Sequence, residues 1–149
     1  MSENSPPNSP SPAALDLSAI AAWCRTAGVP FGLAEDGSQL AIPRGGEDVA
    51  PLRVIERKDA GVLTLAIVVA RGLPERQWAA VSDVCAQANA RMYSGAWVLN
   101  KDNGQLYLRM SAPTVGVAWT DEGIRRMIHV TLGTAEAILP QLRAVLLPK

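Results

Sequence analysis

The chain has 149 residues, of which 48% are hydrophobic and 19% charged, and its 14 basic side chains balance its 14 acidic ones. That length suits one domain, able to bury about 70% of the surface its unfolded chain exposes, and the composition is neither that of a disordered chain nor that of a membrane protein. With a net charge of zero, no global field draws the chain to nucleic acid or anionic lipid, so any charged patch must be local.

Residues 1–12, MSENSPPNSPSP, hold no apolar side chain beyond Met1 and cannot offset the entropy of being ordered. They are expected to form a disordered Pro/Ser-rich tail, leaving 13–149 as a single α+β domain. The tail lacks the basic and apolar regions of a signal peptide, and no stretch approaches the roughly eighteen apolar residues of a membrane span. A cytoplasmic location is the expectation.

From 13 to 27, Leu17, Ile20, Cys24 and Ala27 recur at intervals of three and four, the spacing of one helical face. Gly28 and Pro30 supply the stop. Phe31–Ala34 and Gln39–Ile42 flank Asp36-Gly37, a dipeptide suited to a tight hairpin. That turn sets Leu33 opposite Leu40 and Phe31 opposite Ile42. A Pro/Gly loop then leads to a strand over Leu52–Arg57.

Val62–Ala70 is apolar on both faces and belongs at the sheet centre or under two layers. Pro74 suits a first helical position, and Trp78, Val81, Val84, Cys85, Ala88 and Met92 form one stripe. Gly95 is expected to end that helix. Ala96–Asn100 and Gln105–Met110 form a second hairpin; with Asn103-Gly104 as its loop, Leu99 opposes Leu108 and Trp97 opposes Met110, and a bulged loop would shift those pairs. After Pro113 the segment Val115–Trp119 is expected to be extended.

Thr120 is a good N-cap, with Asp121 and Glu122 at the positive end of the last helix. The stripe Ile124, Met127, Ile128, Leu132, Ala135, Ile138, Leu139, Leu142 and Leu146 is interrupted by Gly133 and by Pro140, which predicts a kink or a break. The predicted order is α-β-β-β-(β)-α-β-β-α.

Asn89, Gly95-Ala-Trp97, Asp102-Asn-Gly104, Leu106-Tyr-Leu-Arg109 and Thr120, taken with this order, resemble the YbjN family of bacterial sensory transduction regulators. The resemblance implies a fold like that of type III secretion chaperones, an antiparallel sheet with helices packed on it. It also implies a homodimer that binds another protein without catalysis, and a link to stress or regulatory pathways.

The residues give no catalytic apparatus to set against this. His129 is the sole histidine, so any triad would have to be built on it, and its place on the polar side of the last helix reads as a solvated surface role. Cys24 and Cys85 fall in separate predicted helices without the close pairing of a zinc site; they read as free buried thiols of a reducing compartment. Arg44-Gly-Gly-Glu47 lacks the spacing and lysine of a phosphate loop. The pairs Glu35-Asp36, Glu47-Asp48 and Asp121-Glu122 suit turn, loop and cap roles. No catalytic, cofactor-binding or metal site is expected.

Binding is the remaining class. Aromatic and arginine side chains concentrate at interfaces, and Trp23, Tyr107, Arg109, Val117 and Trp119 are the candidate protein-interface residues. The expected partners are a second copy and a client protein, with no membrane. The competing reading is a nucleic-acid accessory protein using Arg125, Arg126, His129 and Arg143 on the last helix. A further basic cluster, Arg53, Arg57 and Lys58, lies near one strand end.

Overall fold

The computed structural model describes residues 14–46 and 49–146; the expected tail and the Glu47-Asp48 pair lie outside them. The first helix, α1 (Leu17–Ala27), begins at Asp16, whose carboxylate accepts the Ala19 amide at 2.7 Å. It ends at Gly28, where φ of 69° lets the chain turn off the helix. Capping by Asp16 is why the helix starts later than the apolar spacing alone indicates.

Strands β1 (Gly32–Leu33) and β2 (Gln39–Ile42) pair Leu33 with Leu40, the register that Asp36-Gly37 predicts. Ala34 N–H donates to the Gln39 carbonyl at 3.0 Å, and the Asp36 carboxylate accepts from Ser38 inside the turn. The ladder stops short of Phe31. Leu40 and Ile42 enter the core, whereas Leu33, on the outermost strand, stays 52% exposed.

Strands β3 (Leu52–Arg57) and β4 (Val62–Ala70) follow as an antiparallel pair. Helix α2 (Glu75–Asn89) takes Pro74 as its N-cap rather than its first residue, and the Trp78 indole N–H donates to the Leu73 carbonyl at 2.8 Å. The helix ends at Asn89, ahead of the predicted stop at Gly95.

Strands β5 (Ala96–Asn100) and β6 (Gln105–Pro113) pair Trp97 with Leu108 and Leu99 with Leu106, two residues away from the predicted register. The loop is the four residues 101–104. Asn100 and Asn103 side chains accept the Asp102 and Gln105 amides within it, and the Gly104 carbonyl accepts from Leu73 N–H at 2.9 Å. A slide of two preserves which face each side chain occupies, so the same residues still reach the core.

Helix α3 (Asp121–Ala137) is capped by Thr120, whose hydroxyl accepts the Gly123 amide at 3.0 Å. It gives way at Ile138 to α4 (Leu139–Leu146), the break Pro140 predicts. A proline in a first turn loses no helical hydrogen bond. The predicted extended segment 115–119 joins no ladder; β6 itself runs on to Pro113 instead.

The six strands form one antiparallel sheet in the order β1-β2-β3-β4-β6-β5, with the doubly apolar β4 interior as its sequence predicts. One face is buried: Leu40, Val54, Leu65 and Met110 lie in register across four strands, and Ile67, Leu108 and Trp97 across three. These side chains join Ile20 and Cys24 of α1, Val81 of α2, Ile124, Ile128 and Ala135 of α3, and Leu142 of α4 in a single core. The fold class is α+β, with helices packed on one side of the sheet.

Candidate protein-binding surfaces

The two ends of the β5–β6 pair are finished differently. Asn89, at the end of α2, reaches the outer edge of β5, where its amide oxygen accepts Trp97 N–H at 2.7 Å and its amide nitrogen donates to the Trp97 carbonyl at 3.1 Å. One side chain thus does at that rung what a neighbouring strand would do, and blunts an open sheet edge. This accounts physically for an asparagine at that position.

Beyond Ala96–Arg109, the last β5–β6 pair, β6 continues through Met110–Pro113 with only β4 beside it. Gly95 makes the departure of the chain possible. Its φ is 78°, and a Cβ there would lie 2.7 Å from the Arg109 carbonyl oxygen, closer than side-chain carbon tolerates.

Trp119 is fastened over the far end of the uncovered stretch, its indole N–H donating to the Pro113 carbonyl at 3.0 Å. A cleft of about 370 Å³ remains between β6 and α3, lined chiefly by Met110, Ala112, Trp119, Met127 and Val130, with Arg126 contributing charge. Val115, Val117 and Val130 are among the most exposed large apolar residues, at 76%, 44% and 47%. Methionines beside an aromatic ring make an adaptable apolar lining. Below them Thr131 is fully buried and satisfied, donating to the Met127 carbonyl at 2.8 Å.

The sequence candidates therefore separate. Trp119 belongs to the cleft and Val117 to the loop leading to it, whereas Tyr107 and Arg109 lie on the opposite, helix-free face of the sheet. Trp23 is a core residue, 8% exposed; the buried face of α1 is wider than its main stripe suggests, and Trp23 offers a partner no surface. Met110 and Met127 sit at core-type spacings and Val130 lies off the apolar stripe of the last helix, so nothing local marks the three as neighbours in a cleft.

The arginine-bearing helix is less unified than the sequence suggests. Arg125, Arg126 and His129 are exposed on α3, but Arg143 stands on α4 across the break. Arg125 is engaged with Glu122 through two hydrogen bonds. The Arg125 hydrogen bond, first, and its charge pull the Glu122 carboxyl below its ordinary value, and the same bond holds the guanidinium's proton more firmly.

Both cysteines are free and buried, and burial pushes their thiols up, with the Arg25 charge partly opposing this at Cys24. Among the described residues no group of three or more His, Cys, Asp or Glu could hold a metal ion, and no helix is long and apolar enough to cross a membrane. A larger cleft of about 700 Å³ lies near the bulge of β4, with Arg44, Arg71, Glu136 and Leu139 in its lining. Gly45, Val49 and Ala50 also line it.

Among solved structures, the fold is similar to the crystal structure of YbjN, "a putative transcription regulator from E. coli". The identity is 13%, covering 90% of this chain and 96% of that one, with a TM-score of 0.69. It is also similar to the structure of the HopA1-SchA chaperone-effector complex, at 10% identity, 85% of this chain, 97% of that one and a TM-score of 0.55. At these identities the likeness shows the fold alone. No curated protein matches the sequence. The family model that does match, over residues 16–144, is YbjN, described as "Putative bacterial sensory transduction regulator". The match spans most of the chain, and this protein belongs to the YbjN family.

Proposed function

We propose that the chain is a non-enzymatic binding module, chaperone-like or regulatory, that holds an apolar segment of another protein in the cleft between β6 and α3. The observation that carries this reading is the meeting of Trp119, Met110, Met127 and Val130 around an uncovered strand end. An extended segment laid there would find unpaired strand edge and apolar lining together, the two components of peptide capture by strand addition. The likeness to a chaperone-effector complex supports the reading by analogy.

The chain acts in this reading as a homodimer. Its outer strand β1, with Leu33 half exposed, leaves an edge that a second copy can cover. Action in the bacterial cytoplasm, in a regulatory or stress-response process, rests on family membership alone.

A photoreactive phenylalanine analogue at position 130, in the full chain in bacterial cells, tests the cleft, with the same probe at the exposed position 136 as control. Crosslinks to another polypeptide from 130 only, lost when Val115 and Val117 are both changed to Asp, are expected. A folded chain that gives no adduct from position 130 refutes the reading. Sedimentation equilibrium showing a strict monomer at micromolar concentration refutes the dimer.

A further inference from the structure

The helix-free face of the sheet carries a charge pattern of its own. One rung reads Gly32, Ala41, Arg53, Ala66, Arg109, Ala96 across all six strands. Arg53 and Arg109 are exposed and separated by a single strand, so their backbones stand about 10 Å apart at the usual strand spacing. Their rung neighbours are alanines, too short to screen the guanidinium groups.

On one side of this rung lie Val68, Tyr107 and Val98 in register, and on the other Ile55, Thr64 and Ser111. Arg57 follows one rung further, opposite Val62. No strand residue of this face is acidic among the described residues. Glu56 has the other parity, opposite the buried Leu63. The one ion pair among the described residues, Arg125–Glu122, is on α3. A chain with 14 basic and 14 acidic residues has thus placed three arginines and no carboxylate on the strands of one surface.

Charge complementarity selects the occupant. A second copy stacked face to face would set Arg53 and Arg109 against like charges, which is costly. A single-stranded nucleic acid needs aromatic platforms for its bases, and Tyr107 is the only aromatic side chain on these rungs; Ile55, Val68 and Val98 fit aliphatic groups instead. We propose that this face docks an acidic amphipathic segment of a partner protein, with its carboxylates on Arg53 and Arg109 and its aliphatic side chains on the flanking rungs. Guanidinium groups suit this work because they bind carboxylates in a two-pronged geometry. The proposal rests on the reading of the chain as a protein-binding module, but uses a surface distinct from the cleft.

The test titrates the isotopically labelled full chain with three amphipathic peptides of equal length, built from Leu with Glu, Gln or Lys. The Leu/Glu peptide should bind, moving the amide signals of Ala66, Val68 and Tyr107 and leaving Val130 unmoved. Affinity should drop at least about tenfold in R53Q/R109Q, as expected on truncating charge pairs that binding desolvates. R53E/R109E should prefer the Leu/Lys peptide.

Equal binding of the Glu and Gln peptides, or signals that move at the cleft instead, overturns the proposal. So does tighter binding of a single-stranded oligonucleotide that R53Q/R109Q abolishes, or a dimer that the same variant dissolves. Because the crosslink at position 130 reports on the cleft alone, failure of that reading and failure of this one are separable.

Discussion

Replacing Asn89 with alanine removes the partners of both the Trp97 N–H and the Trp97 carbonyl at the edge of β5. The two hydrogen bonds, 2.7 and 3.1 Å long, are part-buried, and each is worth about 1 kcal/mol net; a buried group left unpaired adds to that. Alanine is the better helix former by a few tenths of a kcal/mol at the last position of α2, which offsets little. The expected loss is about 2–3 kcal/mol, or roughly 5–10 °C in Tm for a domain of this size. Asn89→Asp should lose a comparable amount, because a carboxylate still accepts Trp97 N–H but faces the Trp97 carbonyl with no proton to donate. Urea unfolding followed by circular dichroism gives the stability, and hydrogen exchange at the Trp97 amide gives the local opening. A loss under about 0.5 kcal/mol, or an unchanged Trp97 exchange rate, would refute the assignment of Asn89 as an edge cap, since hydrogen bonds of this kind average near 1 kcal/mol.

Gly104→Ala should be far more damaging, by more than about 3 kcal/mol. Its φ is 64°, and a Cβ would lie 2.6 Å from the Leu73 carbonyl oxygen and 2.7 Å from the Leu73 nitrogen; loss of soluble folded protein is the readout. Gly133→Ala should do the opposite. It sits inside α3 with open space around it and an ordinary φ, so thermal unfolding should show a gain of about 0.5–1 kcal/mol. Cys24 and Cys85 should react slowly with a thiol reagent at pH 7 when folded and rapidly in denaturant. Because burial raises both thiols, their share of stability is intact below about pH 8.5, the free-thiol value, and declines as pH rises through the raised values. The Glu122 carboxyl is lowered by Arg125, so its contribution is present above about pH 4.3, the unfolded glutamate value, and lost as pH falls through the folded one. Glu122→Gln should remove that acid dependence from a pH series of melting curves while changing little at pH 7, since the pair is exposed.

The places where sequence reading and structure part company share a cause. Alternating patterns fix which face a strand residue occupies, so Leu40, Ile42, Trp97, Leu108 and Met110 are legible as one apolar face, while Leu33 shares the pattern but stays 52% exposed on the edge strand. A slide of two leaves that pattern intact, and the choice between a two-residue and a four-residue loop in the β5–β6 hairpin coincides with contact between Gly104 and Leu73, which lie on either side of α2. Val115, Val117 and Trp119 alternate as a strand would, but β4 pairs with β6 only as far as Val62–Pro113. With no strand left to join, the segment turns over the end of the sheet and Trp119 bonds Pro113 instead.

The arginine rung was illegible for a deeper reason. Arg53 reads as part of a cluster with Arg57 and Lys58, and Arg109 as a candidate interface residue beside Tyr107; nothing local connects the two arginines. What connects them is strand order. The chain leaves β4, passes through α2 and returns as β5 one place further out, and β6 then fills the gap between them, a split β-α-β arrangement. Had β5 taken the place beside β4, Arg109 would stand one strand further from Arg53, about 15 Å away at the same spacing, with β5 between β4 and β6. The insertion of β6 beside β4 is therefore what turns two unremarkable arginines into a pair with one alanine between them.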